Sequence, residues 1–156
     1  MQQYGCQSMT SPIRRILLKH PKDAYKNQLE LNKYSSKLNY LETPDFLKAI
    51  SDYDKFVDLL KLFNIEIHFL PENNNANPDS IYTHDPCVIT NYGVILCSMG
   101  KKERQSEIEA VQSFFKSIKI PILGKIKNPG KLEGGDVVWI NKNTIAVGEG
   151  YRKNSE

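Results

Sequence analysis

One order of segments occurs twice in this chain and narrows its possible folds more than any other feature: helix, strand, polar loop, aspartate, hairpin. In the first copy Thr43 and Pro44 read as a helix start, a cap followed by a first-turn proline. Phe46, Leu47, Ile50, Tyr53, Val57 and Leu60 then recur at steps of three and four. Asn64 ends that helix, and Ile65 to Leu70 alternates as a strand before the polar stretch from Pro71 to Ser80. Cys87 to Thr90, the turn Asn91-Tyr92-Gly93 and Val94 to Ser98 form a hairpin pattern. In the second copy Ile108, Val111, Phe114, Phe115 and Ile118 mark one face of a helix over 103–118. Ile120 to Ile126 follows as a strand with Pro121 near its start. A Gly-rich loop leads into Asp136 to Ile140, the turn Asn141-Lys142-Asn143 and Thr144 to Gly148, a second hairpin. Asp85 opens the first hairpin and Asp136 the second, about 50 residues on, which is a period of repeat architectures. A unit of this size cannot bury both faces of its own sheet, so an α/β fold of several copies round a shared axis is expected. Two copies and the start of a third are visible.

The flanking segments are less regular. Ile13 to Lys19 is a short run of branched residues that reads as a strand ending at the breaker His20-Pro21. Asp23 to Glu42 has little clear period and fits either a surface helix or a long loop.

Composition excludes several classes. At 156 residues, 40% hydrophobic and 25% charged, the chain can bury a real core. The net charge of +3 comes from 21 basic and 18 acidic residues without runs of one sign, which argues against a nucleic-acid partner. No stretch reaches the roughly 18 consecutive apolar residues that a membrane span needs, and residues 1–10 are polar, so a cytoplasmic protein with no membrane partner is expected. The cysteines, Cys6, Cys87 and Cys97, are odd in number, and two sit in apolar strand-like runs; they read as buried structural thiols rather than a disulfide framework.

Chemistry gathers in the two repeat loops. Asp79 and Asp85 precede the strand at Cys87, and Glu133 and Asp136 precede the strand at Val137. A carboxylate beside a buried strand loses hydration, so it must be capping, paired or binding something. A lone aspartate of this kind ordinarily caps its own loop. Two at matching places in a repeat point instead to carboxylates converging on the repeat axis, an anionic hole suited to a cation with several N–H donors such as a guanidinium. Gly134 and Gly135 let a neighbour approach closely there.

The segments PDSIYTHDP, MGKKER, KLEGGDVVWI and VGEGYRKNSE, with the opening IRRILLKHP, resemble the guanidino-group-modifying superfamily of arginine deiminases, dimethylarginine dimethylaminohydrolases and amidinotransferases. The resemblance covers nearly the whole chain and implies a pentein-type α/β propeller of ββαβ-like repeats. Residues 1–156 would be a single partial domain, about half of a five-bladed propeller. By motif position, Asp85 resembles the guanidinium-binding aspartate. Glu133 resembles the catalytic-site carboxylate that binds the guanidinium and positions the catalytic histidine. Asp79 and His84 fall at further substrate contacts, and Arg104 and Arg152 at the arginines that hold the substrate's amino-acid end, where a planar fork suits a carboxylate. His84 stands where dimethylargininases usually carry glutamate and deiminases arginine, which leaves the substrate open.

The family's cysteine nucleophile and its histidine are expected outside these residues. His20, His68 and His84 lie in the wrong motifs, His68 alternates within a strand, and Cys87 reads as a small packing residue. The expected function is the N-terminal part of a guanidino-compound hydrolase acting on arginine or a methylated arginine, inactive alone. The alternatives are an amidinotransferase fragment, or a non-catalytic guanidino-binding or protein-binding pentein module. No cofactor or metal is expected. The expected partners are the guanidino substrate, the remaining half as a separate chain, and further copies of this chain, because half a propeller leaves sheet edges and apolar faces uncovered.

Overall fold

A computed structural model describes residues 4–73 and 75–149. Arg152 and the tail motif around it therefore lie outside the described residues. The chain divides into two units: one runs from Ile13 to Tyr82, and the other joins the residues before Ile13 to those from Thr83 onward.

In the first unit, strand β1 (Arg15–Leu18) ends as expected, but the breaker also begins a helix. His20 is its N-cap, its Nδ1 accepting the Lys22 backbone N–H at 3.2 Å, and Pro21 occupies the first turn of α1 (Pro21–Tyr25). Asn27 caps α2 (Gln28–Ser35) by accepting the Glu30 N–H at 2.9 Å. The stretch without a period, left open as helix or loop, is thus two short helices held by caps and packing rather than by an amphipathic stripe.

The long helix α3 (Phe46–Leu62) begins two residues later than the sequence suggests. Its cap is Asp45, which accepts the Lys48 N–H at 2.7 Å, and not Thr43. The Gln28 side chain explains the shift: Nε2 donates to the Pro44 carbonyl at 3.0 Å, and Oε1 accepts the Phe46 N–H at 2.8 Å. That clamp holds Pro44 outside the helix. Val57 and Leu60 are buried with Leu18 in the core, flanked by Ile16, Tyr53, Ile65 and Ile67, whereas Leu47 is 74% exposed and does not belong to the buried face. The helix ends at Leu62, and Asn64 takes the left-handed region at φ 54°, as its sequence position suggested. Strand β2 (Glu66–Phe69) runs parallel to β1, Arg15 opposite Glu66 and Leu18 opposite Phe69. A 3-10 turn at Pro78–Ile81 closes the unit.

In the second unit, β3 (Cys87–Thr90) and β4 (Gly93–Leu96) form the expected antiparallel hairpin. Helix α4 (Glu107–Ser117) buries Ile108, Val111 and Phe115. It leads to β5 (Ile122–Lys125), which pairs parallel with β4. The second hairpin, β6 (Val137–Asn141) with β7 (Thr144–Val147), is antiparallel. Val88, Cys97 and Val137 form the core that joins the hairpins, with Leu132 and Trp139 against it. A bridge between Ser98 and Leu132 ties the exit of β4 to the Gly-rich loop. The architecture is α/β, and the helix, strand, 3-10 turn and hairpin order recurs as the sequence indicates. No helix among the described residues is long and apolar enough to cross a membrane.

Replacing Asp45 with alanine is expected to lower unfolding stability by about 1 kcal/mol, the usual loss of an N-cap. Thr43→Ala is expected to leave the urea midpoint within error, and the reverse order of effects would restore Thr43 as the cap.

Candidate functional site

The acidic loops of the second unit are brought together by backbone first. The Gly134 N–H donates to the Asp85 carbonyl at 2.7 Å, stitching the loop before β3 to the loop before β6. At Gly134 a Cβ would collide with the His84 carbonyl oxygen, and at Gly135 it would lie 2.6 Å from Asp85 Oδ1. Only glycine allows this approach without displacing backbone. Asp85 and Glu133, far apart in sequence, are thereby brought into one neighbourhood. Glu133 is almost wholly buried and accepts the Gly100 N–H at 3.0 Å, so its carboxylate is held by main chain.

Arg104 is buried in a 3-10 turn (Lys102–Arg104) ahead of α4. Its guanidinium is gripped on two sides: Nε and Nη2 donate to Glu107 Oε1 and Oε2 at 2.8 and 2.9 Å, and Nη1 donates to Asp85 Oδ2 at 2.8 Å. The planar fork matches a carboxylate in two parallel bonds, a geometry that lysine cannot reproduce. Burial pulls the Arg104 pKa down, but the hydrogen bonds and charge of Glu107, then of Asp85, outweigh it and the net direction is up. Arg104 stays cationic at every accessible pH. Glu107 has no counterpart in the sequence reading. Its only signal was the i, i+3 spacing from Arg104, which the apolar pattern of α4 concealed.

The neighbouring thiols are suppressed. Burial pushes Cys97 up to about 12, with Cys87, Asp85, Glu133 and Asp136 adding to the effect in that order. Burial alone pushes Cys87 up to about 12. Both raised values favour the protonated thiol in the folded protein, so their contribution to stability is present below about pH 9, the ordinary thiol value, and is lost as pH rises toward 12. Neither group is a ready nucleophile at neutral pH.

His84 is exposed, and its carbonyl rather than its ring abuts Gly134. Asp79 is buried in the first unit, in the Pro78–Ile81 turn, where Tyr40 donates to Oδ1 at 2.9 Å. His20 bonds Asp54 at 3.1 Å, and His68 bonds Glu66 at 2.8 Å. Cys6 is exposed. Among the described residues no cluster of histidine, cysteine, aspartate and glutamate is arranged to hold a metal ion. What the second unit offers chemically is a water-poor group of carboxylates, two of which, Glu107 and Asp85, already receive a guanidinium.

The chain is similar to several known proteins. The family model of arginine deiminase matches residues 74–156. A dimethylarginine dimethylaminohydrolase of Pseudomonas aeruginosa is 26% identical over 118 residues, 76% of this chain and 46% of that protein. The crystal structure of a dimethylarginine dimethylaminohydrolase adduct with S-methyl-L-thiocitrulline superposes with a TM-score of 0.74 at 23% identity, covering 92% of this chain and 53% of that one. The substrate-bound N-terminal domain of a cyanobacterial arginine dihydrolase gives a TM-score of 0.72 at 17% identity, covering 90% and 51%. At these identities the structural likeness is one of fold. The chain spans about half the length of the relatives it matches.

Removing Glu107 takes two charge-assisted hydrogen bonds from buried Arg104 and leaves Asp85 on its other side, so Glu107→Ala is expected to destabilise the protein by roughly 3 kcal/mol. Urea unfolding checks this, and a loss no larger than that of an exposed pair such as Lys55 with Asp52 would show that the Glu107 bonds do not hold Arg104.

Proposed function

Because the chain belongs to the arginine deiminase family, we propose that its carboxylates hold the cationic head group of arginine or a methylated arginine for hydrolysis by a cysteine nucleophile supplied from other residues of the working enzyme. The observation that carries this reading is the Asp85 carboxylate taking a guanidinium N–H from Arg104 at 2.8 Å, in a loop stitched by Gly134 to buried Glu133. A site that binds one guanidinium in a water-poor setting has the charge and acceptor geometry to bind another.

The roles follow the motif positions. Asp85 and Glu133 bind the guanidinium, and Glu133 also positions the histidine that moves protons. Asp79 and His84 are further substrate contacts, and Arg104 and Arg152 stand at the substrate's carboxylate end. A substrate carboxylate would there compete with Asp85 for the Arg104 Nη1 donor, which would free Asp85 for the incoming guanidinium. In the reaction a thiolate attacks the guanidinium carbon, an amine or ammonia leaves with a proton from the histidine, and water then releases the ureido product and restores the thiol. Cys87 and Cys97, buried and held protonated, are unsuited to that attack. The repeats are proposed as blades of a pentein-type propeller within one domain.

The chain alone is expected to form no citrulline from arginine. Combined with a polypeptide that carries the family's histidine and cysteine, it is expected to release ammonia or a methylamine from a guanidino compound, and Asp85→Asn or Glu133→Gln is expected to cut the rate at least about a hundredfold, as loss of a preorganised charge contact does. Turnover by the chain alone that survives Cys87→Ser would overturn the assignment of the nucleophile, and an inert mixture would overturn the hydrolase reading.

The isolated chain is also proposed to self-associate through apolar side chains left exposed within each unit, such as Leu59, Leu62 and Phe63 on α3 and its end, and Val138, Ile140 and Ile145 on the second hairpin. Sedimentation velocity is expected to show species larger than a monomer, and a monodisperse monomer at tens of micromolar would contradict this.

A further inference from the structure

The Asp79 carboxylate is delivered and oriented by two separate rigid devices, and one of them ends in a side chain that the family motifs do not contain. On the Asp79 side, Asn77 Oδ1 accepts the Asp79 N–H at 2.8 Å, Pro78 fixes the first backbone angle of the turn, and the Tyr82 N–H returns to the Asp79 carbonyl at 3.0 Å. Among the described residues the Ser80 hydroxyl of the same turn is buried with no hydrogen-bond partner. On the Tyr40 side, α2 ends in a paired C-terminal lock. The Tyr40 N–H donates to the Ser35 carbonyl at 2.9 Å and the Asn39 N–H to the Ser36 carbonyl at 3.3 Å, while Asn39 takes the left-handed region at φ 62° and Leu38 is buried. That lock fixes the Tyr40 backbone to a rigid helix end, so the phenol arrives at Asp79 with little rotational freedom. Both α1 and α2 lie against the Pro78–Ile81 turn.

We propose that Tyr40 is a positioning residue for substrate binding: its phenol, donating to Asp79 Oδ1 at 2.9 Å, sets the rotation of the carboxylate that contacts the guanidino substrate. This rests on the reading of Asp79 as a substrate contact. A carboxylate with one oxygen fixed by a neutral donor is held at a defined rotation, and a ligand then binds without first ordering it. Burial, then the Asp79 charge and its hydrogen bond, raise the Tyr40 pKa, so the phenol remains a donor wherever the protein is folded. Tyr25, in the same unit, is pushed up to about 12 by burial, then by Tyr82 and Asp79, which places a second phenol in the electrostatic reach of the same carboxylate.

Three proteins test this in full-length form: the wild type, Asp79→Asn and Tyr40→Phe, which removes one oxygen and keeps the ring. L-arginine and dimethyl-L-arginine are titrated into each by calorimetry, and phenolate absorbance is followed from pH 8 to 12 in each. Tyr40→Phe is expected to weaken binding about tenfold, the usual scale for one hydrogen bond to a charged group, and Asp79→Asn by more. In Asp79→Asn the phenolate titration is expected to shift to lower pH, because the Asp79 charge contributes to the raised values of both Tyr40 and Tyr25. The loss of affinity in Tyr40→Phe is measured on protein that urea unfolding shows to be fully folded, a loss that a purely structural role for Tyr40 would not produce. Loss of binding in Asp79→Asn with wild-type affinity in Tyr40→Phe overturns the role of Tyr40 alone. Unchanged affinity in Asp79→Asn, or no binding of either ligand by the wild type, overturns the reading of Asp79 and this inference with it. An unaltered phenolate titration in Asp79→Asn shows that the two side chains are not coupled and overturns the inference by itself.

Discussion

A buried arginine must be neutralised where it lies, and that requirement organises the second unit. Arg104 has lost most of its hydration, a cost that only close carboxylates can offset. Glu107 meets it from the next turn with two parallel hydrogen bonds, and Asp85 meets it from the loop ahead of β3. Because Asp85 is held by a long-range ion pair, the loop that carries it cannot drift, and the strand that follows is set in register. The pair therefore fixes the place of a carboxylate as well as neutralising a charge. Two carboxylates thus share one guanidinium, and Glu133 lies buried in the same unit.

Glycine makes the second half of that arrangement possible. The Gly134 N–H reaches the Asp85 carbonyl, and a side chain there would overlap the carbonyls of His84 and Cys87. The consequence is that Glu133, next in the chain, has to be buried beside the first hairpin and must find an internal donor, which it does at Gly100. Packing and electrostatics are coupled through this one contact. Opening it would expose Glu133 and loosen Asp85 together.

Much of this was legible in the sequence, for identifiable reasons. Strands β1 to β7 are short, but apolar or branched runs bounded by turn residues, with alternation at β2, are strong signals. The acidic loops were legible because carboxylates beside apolar strands are costly without a task. What escaped was decided by contacts remote in sequence. Thr43-Pro44 is a sound local helix start, yet Gln28 holds the Pro44 carbonyl and the Phe46 N–H from outside, so Asp45 becomes the cap. The two short helices from Pro21 to Ser35 have no stripe to read, because caps and contact with the Pro78–Ile81 turn sustain them. Glu107 looked like an ordinary first-turn acid of α4, which favours the helix dipole, and nothing local shows that it is buried with an arginine. Tyr40 lay in a stretch without period, and only the end of α2 reveals where its hydroxyl goes.

The electrostatics that suit this chain to a cation also unsuit it to supply the nucleophile. Asp85, Glu133 and Asp136 all act to keep the Cys97 thiol protonated, on top of the dominant effect of burial. With a pKa near 12, roughly one such thiol in a hundred thousand is ionised at pH 7. A carboxylate group that attracts a guanidinium repels a thiolate for the same reason and by comparable energies. One way to have both in a single enzyme is to hold the cation first and let its positive charge stabilise the thiolate as it forms. Under the proposed reading, binding the guanidinium and generating the nucleophile are then one coupled event: the substrate supplies the charge that the carboxylates withhold. On that reading the residues that hold the cation need not be those that carry the reactive sulfur.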